Sequence, residues 1–209
     1  MASSPPEPQK SPRQFSYKII LLGEVGVGKT SLFNRIRTGE FIEDYDCGTS
    51  YYDNMYYTTT VGDDEVNVML WDMGKPQNFR ECKPGYFYRN TDGVLFVFSV
   101  EDSYTFQNLQ EWNEELVYRI DNLDSLERAL IGNKCDLPCE IEEEQVKALS
   151  KELQVKQLHF VSAKTGENVM KTFNDLIAVI HHRRTKVPEG SNTDTPVTDI
   201  EKSSKCICC

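Results

Sequence analysis

Three kinds of sequence stand back to back between residues 17 and 37, and their order limits the fold more than any other feature. Tyr17-Lys18-Ile19-Ile20-Leu21-Leu22 is short, apolar and β-prone. Gly23-Glu24-Val25-Gly26-Val27-Gly28-Lys29-Thr30 follows and fits the pattern G-x-x-x-x-G-K-[ST]. Ser31-Leu32-Phe33-Asn34-Arg35-Ile36-Arg37 then repeats apolar residues at helical spacing. Strand, glycine-rich turn and helix in that order form a phosphate cradle. The glycines let the backbone wrap an anion with its N–H groups inward, and the helix start adds free N–H groups and its dipole. The main chain from Glu24 to Ser31 is the candidate phosphate contact. Lys29 can reach β- and γ-phosphates, and the Thr30 hydroxyl can bind Mg²⁺.

The rest of the chain alternates strands and helices. Thr38 to Tyr51 reads as a long polar loop, and Tyr52 to Val61 as a strand. Gly62-Asp63-Asp64 reads as a turn, and Glu65 to Asp72 as a strand pairing back on the one before it. Met73 to Tyr88, with Gly74, Pro76, Pro84 and Gly85, reads as a loop. Val94 to Phe98 is a central buried strand. Ser103 to Ile120 is a helix with Ser103 as its cap and Phe106, Leu109, Trp112 and Leu116 on one face. Ala129 to Gly132 and Leu158 to Val161 are strands; Glu140 to Leu153 and Glu167 to His182 are helices. The pattern predicts a phosphate-loop α/β fold: six strands, mostly parallel, with helices on both faces. Ligands in such folds sit at the carboxyl ends of strands.

Three further motifs fall at those ends. Asp72 fits an acidic residue that holds Mg²⁺, usually through water. Asn133-Lys134-Cys135-Asp136 fits N-K-x-D. The Asp136 carboxylate can accept two hydrogen bonds from N1–H and N2–H₂ of guanine, which adenine cannot offer. Lys134 can lie over the base, and Asn133 can tie neighbouring loops together. Ser162-Ala163-Lys164 fits S-A-K, whose Ala163 N–H can reach guanine O6. In order and after a phosphate loop, they predict a site for GTP and GDP.

Composition bounds the remainder. With 33 acidic against 23 basic residues the net charge is −10, which argues against nucleic-acid partners. No apolar run reaches the ~18 residues of a spanning helix. Residues 1–14 are rich in Pro and Ser, lack the apolar core of a secretory signal and read as a disordered leader. Residues 15–182 form the domain and 183–209 a flexible tail, with a typical span of about 25 Å. Cys47, Cys82, Cys135 and Cys139 form no C-x-x-C pair and fit reduced thiols in the cytosol.

Taken together, these motifs resemble the Ras superfamily of small GTPases, and within it the Rab branch, over residues 16 to 182. Trp71-Asp72, Tyr86-Phe87-Tyr88-Arg89 and the terminal Cys208-Cys209 carry the Rab likeness. The resemblance implies a monomeric GTP/GDP switch in vesicle traffic that hydrolyses GTP with Mg²⁺. Effectors, an exchange factor and a GTPase-activating protein would meet it at two switches. The first switch would be Thr38 to Tyr51, with Phe41 on the edge of the base and Thr49 sensing Mg²⁺ and γ-phosphate. The prenylation machinery would place two lipids on Cys208 and Cys209; a C-a-a-X reading puts one on Cys206 instead. One lipid anchors marginally, and the tail has no polybasic patch as a second signal, so two fit better.

The likeness breaks where hydrolysis is controlled. The family's D-T-A-G-Q reads Asp72-Met73-Gly74-Lys75-Pro76. Lys75 replaces the glycine that meets the γ-phosphate. Pro76 replaces the glutamine that orients water and has neither a polar side chain nor an N–H. Gln77 stands one residue late. Val25 stands where the family has Gly or Ser and crowds an incoming catalytic group. No catalytic residue is therefore intact, and the expectation is slow intrinsic hydrolysis. The rival reading is a GTP-locked pseudo-GTPase, a lipid-anchored scaffold.

Overall fold

The computed structural model describes residues 11–43, 52–73 and 85–186. Its elements, in chain order, are β1 (Gln14–Leu22), α1 (Lys29–Thr38), β2 (Asp53–Val61), β3 (Asp64–Asp72), β4 (Gly93–Ser99), α2 (Ser103–Gln107), α3 (Leu109–Arg119), β5 (Glu127–Asn133), α4 (Glu143–Glu152), β6 (Gln157–Phe160) and α5 (Val169–Thr185). The six strands form one sheet in the order β2-β3-β1-β4-β5-β6. Only the β2–β3 pair is antiparallel. It closes through Gly62-Asp63 with Val61 opposite Asp64, and Gly62 takes the left-handed φ of 62° that a two-residue hairpin needs.

Helices cover both faces. Ile19 and Leu21 of β1 pack with Leu32, Phe33 and Ile36 of α1 and with Phe173, Leu176 and Ile177 of α5. Ile20 and Leu22 point to the other face, with Phe106, Leu109 and Trp112 of α2–α3 and Val146 and Leu149 of α4. The period-two split of one apolar strand therefore feeds two cores. Each fully buried Leu, Ile or Phe contributes about 1.5–3 kcal/mol.

Several boundaries differ from the sequence reading, for local reasons. The leader drawn to residue 14 overlaps β1, because Gln14 already pairs with Glu65 and Arg13 makes two bonds to Asp64. The helix read over 103–120 divides at Asn108, and its cap is Asp102, whose carboxylate accepts from Tyr104 N–H, not Ser103. The apolar stripe crosses the division unbroken. α4 starts at Glu143, not Glu140, because Glu142 is extended and its N–H donates to Gln145 Oε1 at 3.0 Å. α5 starts at Val169, not Glu167, because Gly166 and Asn168 have left-handed φ of 84° and 58°. It runs on to Thr185, with Arg183 and Arg184 paired to Glu127 and Asp92.

Candidate functional site

The loops after β1, β5 and β6 and the end of β3 at Asp72 meet at the carboxyl edge of the sheet. The first turns where any side chain would collide. A Cβ on Gly23 would lie 2.0 Å from the Val97 carbonyl oxygen, and one on Gly28 2.3 Å from Asn133 Nδ2. Gly28 also has a φ of 91°, which leaves the first turn of α1 open. Lys29 is buried and folds over the loop, donating to the carbonyls of Gly23 at 2.8 Å and Glu24 at 2.6 Å. Val25 is 58% exposed on the loop's crest, while Val27 is buried.

Asp72 ends β3 beside the helix start. The Thr30 hydroxyl donates to its Oδ2 at 2.5 Å, and its Oδ1 is buried with no hydrogen-bond partner among the described residues. Burial pushes this carboxyl above the usual range, against the Thr30 bond and the Lys29 charge. A buried oxygen without a partner beside a hydroxyl is a donor set for a hard cation. Thr30 and Asp72 therefore fit Mg²⁺, with water completing the shell. When bound, that ion neutralises charge on the β- and γ-phosphates.

The base side is built from β5 and β6. Asn133 is buried; its Nδ2 donates to Val27 O at 2.8 Å, and its Oδ1 accepts from Ala163 N–H at 3.1 Å. One side chain thus joins the phosphate loop to the S-A-K loop. Lys134 has a φ of 64° and pairs with Glu101 at 2.6 Å. Asp136 stands at the exposed rim, where the buried Ser162 hydroxyl donates to its Oδ1 and fixes its orientation. Ser162 Oγ also accepts from Thr165 N–H at 3.1 Å. Lys164 is exposed, and half-buried Phe41 packs on the α1–α5 core at the near side.

A sequence profile of the Ras family matches residues 18–182. The chain belongs to the Ras family. It is similar to Ras-related protein Ral-a of Drosophila melanogaster, at 34% identity over 174 residues covering 81% of this chain and 83% of the relative. It is also similar to Ras-related protein Rab-9A of Rattus norvegicus, at 31% over 198 residues covering 92% and 96%. Ras-related protein Rab-13 of the same species matches at 29% over 197 residues, covering 91% and 95%. The chain is thus a small GTPase with Rab similarity, a GTP-binding switch that hydrolyses GTP.

This Ras-family site holds side chains that the motifs did not single out. Arg35 of α1 donates to Ala163 O at 2.8 Å, Lys164 O at 2.5 Å and Gly39 O at 2.7 Å. It ties the base loop to the chain that leads to Phe41. Trp112 of α3 donates from Nε1 to Glu24 Oε1 at 2.9 Å. Both were visible only as helix residues, since Ala163 and Lys164 lie 128 and 129 positions from Arg35, and Glu24 lies 88 from Trp112. Thr49, Lys75, Pro76, Gln77, Cys206, Cys208 and Cys209 lie outside the described residues, as do Cys47 and Cys82. Cys135 and Cys139 form no disulfide among the described residues. Among the described residues, no helix is long and apolar enough to cross a membrane.

Proposed function

We propose that this small GTPase is a Rab-type switch in vesicle traffic, anchored by lipid to a cytoplasmic membrane face, that hydrolyses GTP slowly when unaided. The observation that carries the nucleotide site is the Asn133 bridge, which makes the phosphate loop and the base loop one structure. In this reading Glu24 to Ser31 cradle the phosphates, with Lys29 leaving its loop carbonyls to meet them. Thr30, Thr49 and Asp72 serve Mg²⁺. Asp136 reads guanine, Ala163 N–H is shared between Asn133 Oδ1 and the base oxygen, and Phe41, Lys134, Ser162 and Lys164 line the base.

Slow turnover follows from the residues at the positions that should orient the attacking water. Pro76 offers that water neither a polar side chain nor an N–H, Lys75 replaces a close-approach glycine, and exposed Val25 crowds a catalytic group brought by a partner. Each tenfold loss corresponds to about 1.4 kcal/mol of barrier. A GTPase-activating protein that supplies its own Arg and Gln restores turnover. Two lipids on Cys208 and Cys209 give the anchor, with residues 187–209 as the span between domain and membrane. Effectors and an exchange factor meet the switches, and the acidic balance excludes nucleic acid.

The test is single-turnover hydrolysis of Mg·GTP by residues 11–186, after the nucleotide carried through purification is identified. Co-purified GTP with a rate at least about tenfold below the rates of glutamine-bearing relatives is expected. GDP with an ordinary rate overturns slow turnover and makes Gln77 the candidate for the missing group. No hydrolysis at all, even with activating proteins, favours the scaffold reading. Intact-mass analysis of the full chain from eukaryotic cells tests the anchor: two prenyl groups are expected, and a single one on Cys206 contradicts it.

A further inference from the structure

The phosphate loop carries a carboxylate of its own. Glu24 directly follows Gly23, and its carbonyl already accepts from Lys29 Nζ at 2.6 Å. A negative side chain in a loop that gathers phosphates opposes its ligand. This side chain is engaged from outside the loop: the indole N–H of Trp112 donates to Glu24 Oε1 at 2.9 Å. Trp112 lies on α3, buried with Leu109 and Leu116 against the far face of the sheet. An indole N–H only donates and does not titrate. It can hold a carboxylate without importing a cation that would compete for phosphate.

We propose that Trp112 is a positioning residue of the nucleotide site: it holds the Glu24 carboxylate on the α3 side, so that the loop presents its N–H groups and Lys29 to the phosphates. This rests on the nucleotide reading of the loop given above. Packing is a separate service of the same side chain, and charge tells the two apart. The benefit of the indole bond depends on Glu24 being charged, whereas the benefit of packing does not.

A double-mutant cycle makes that separation. Mg·GTP affinity is measured for the unaltered protein, Trp112→Phe, Glu24→Gln and the double variant. Trp112→Phe is expected to weaken binding about tenfold where Glu24 is present. It is expected to weaken binding by less than about twofold in the Glu24→Gln background, whatever Glu24→Gln does alone. Equal losses in both backgrounds make Trp112 a packing residue and overturn the proposal. If the unaltered protein retains no Mg·GTP, the nucleotide reading falls and takes the proposal with it. Should Trp112→Phe not fold, the indole ¹⁵N–¹H signal carries the test. The chain has 2 tryptophans, so Trp71→Phe assigns it. The Trp112 signal is expected to shift on Glu24→Gln, and an unmoved signal overturns the proposal.

Discussion

Strand β3 ends in a buried aspartate on each side, and the two live in opposite surroundings. Asp64, 6% exposed, begins the strand; Asp72, 3% exposed, ends it. Asp64 accepts two bonds from Arg13 and one from His181 Nε2, whose Nδ1 lies 3.0 Å from the Tyr17 hydroxyl. Arg13 holds the Asp64 carboxyl below the usual range, with burial opposing. Asp72 has one hydroxyl on one oxygen and no described partner on the other, and burial pushes it up. A carboxylate satisfied within the fold serves stability. One left short beside a hydroxyl and a phosphate loop fits something from outside. Of these two carboxylates it is the unsatisfied one that stands at the proposed nucleotide site, a distinction that charge and burial alone do not make.

The largest effect should come from crowding the proposed nucleotide site. Gly28→Ala puts a Cβ on Asn133 and strains a positive φ. A loop shifted by about 1 Å loses charged hydrogen bonds to the phosphates at about 1.5–3 kcal/mol each, on the order of a hundredfold in binding. Calorimetric titration with Mg·GTP should show that loss. Next comes Asn133→Ala, which strands the buried Val27 carbonyl and Ala163 N–H. It should cost about 2–4 kcal/mol in urea unfolding and weaken GTP binding as well, because the bridge serves both.

Asp64→Asn should do the reverse: lower the unfolding temperature and leave the Kd for Mg·GTP unchanged. The sign with pH follows from its depressed folded value. Asp64 contributes stability above its unfolded pKa of about 4, and that contribution is lost as pH falls through the folded value. Asp64→Asn should flatten the acid limb there, as read by unfolding midpoints across pH. The smallest effect should come from His159 on β6, whose Nε2 is buried without a described partner and which takes part in none of the site's hydrogen bonds described above. Burial lowers its pKa, so the unfolded chain takes the proton first and stability declines below about pH 6.5. His159→Phe should remove that slope without touching nucleotide affinity.

Much of this was legible in the residues. The β2–β3 hairpin announced itself through Gly62 and the alternation of Val66, Val68 and Leu70, which are all buried. The phosphate loop, Asp72, N-K-x-D and S-A-K stood at strand ends, where the sheet brings them together. Local choices were less legible. Asp102 and Ser103 are adjacent residues of equal capping ability, and only the backbone decides between them. The ties made by Arg35, Trp112 and His181 were not legible at all. Each depends on a register between elements far apart in sequence, and an arginine or tryptophan on a helix carries no local mark of its distant acceptor. The Asp64–Asp72 contrast was half hidden for the same reason: Asp72 reads as the Mg²⁺ carboxylate, but Asp64 reads only as a turn residue, because Arg13 and His181 lie 51 and 117 positions away.

The most direct measurement is Mg²⁺ titration of GTP binding by the unaltered protein and by Asp72→Asn. If Asp72 is the carboxylate kept for the cation, the unaltered protein gains affinity steeply as Mg²⁺ rises. The variant should lose about 10- to 100-fold of apparent Mg²⁺ affinity while still binding metal-free GTP as the unaltered protein does. A variant whose Mg²⁺ dependence matches that of the unaltered protein would contradict the account, and the short-partnered end of β3 would be no more than a poorly satisfied strand terminus.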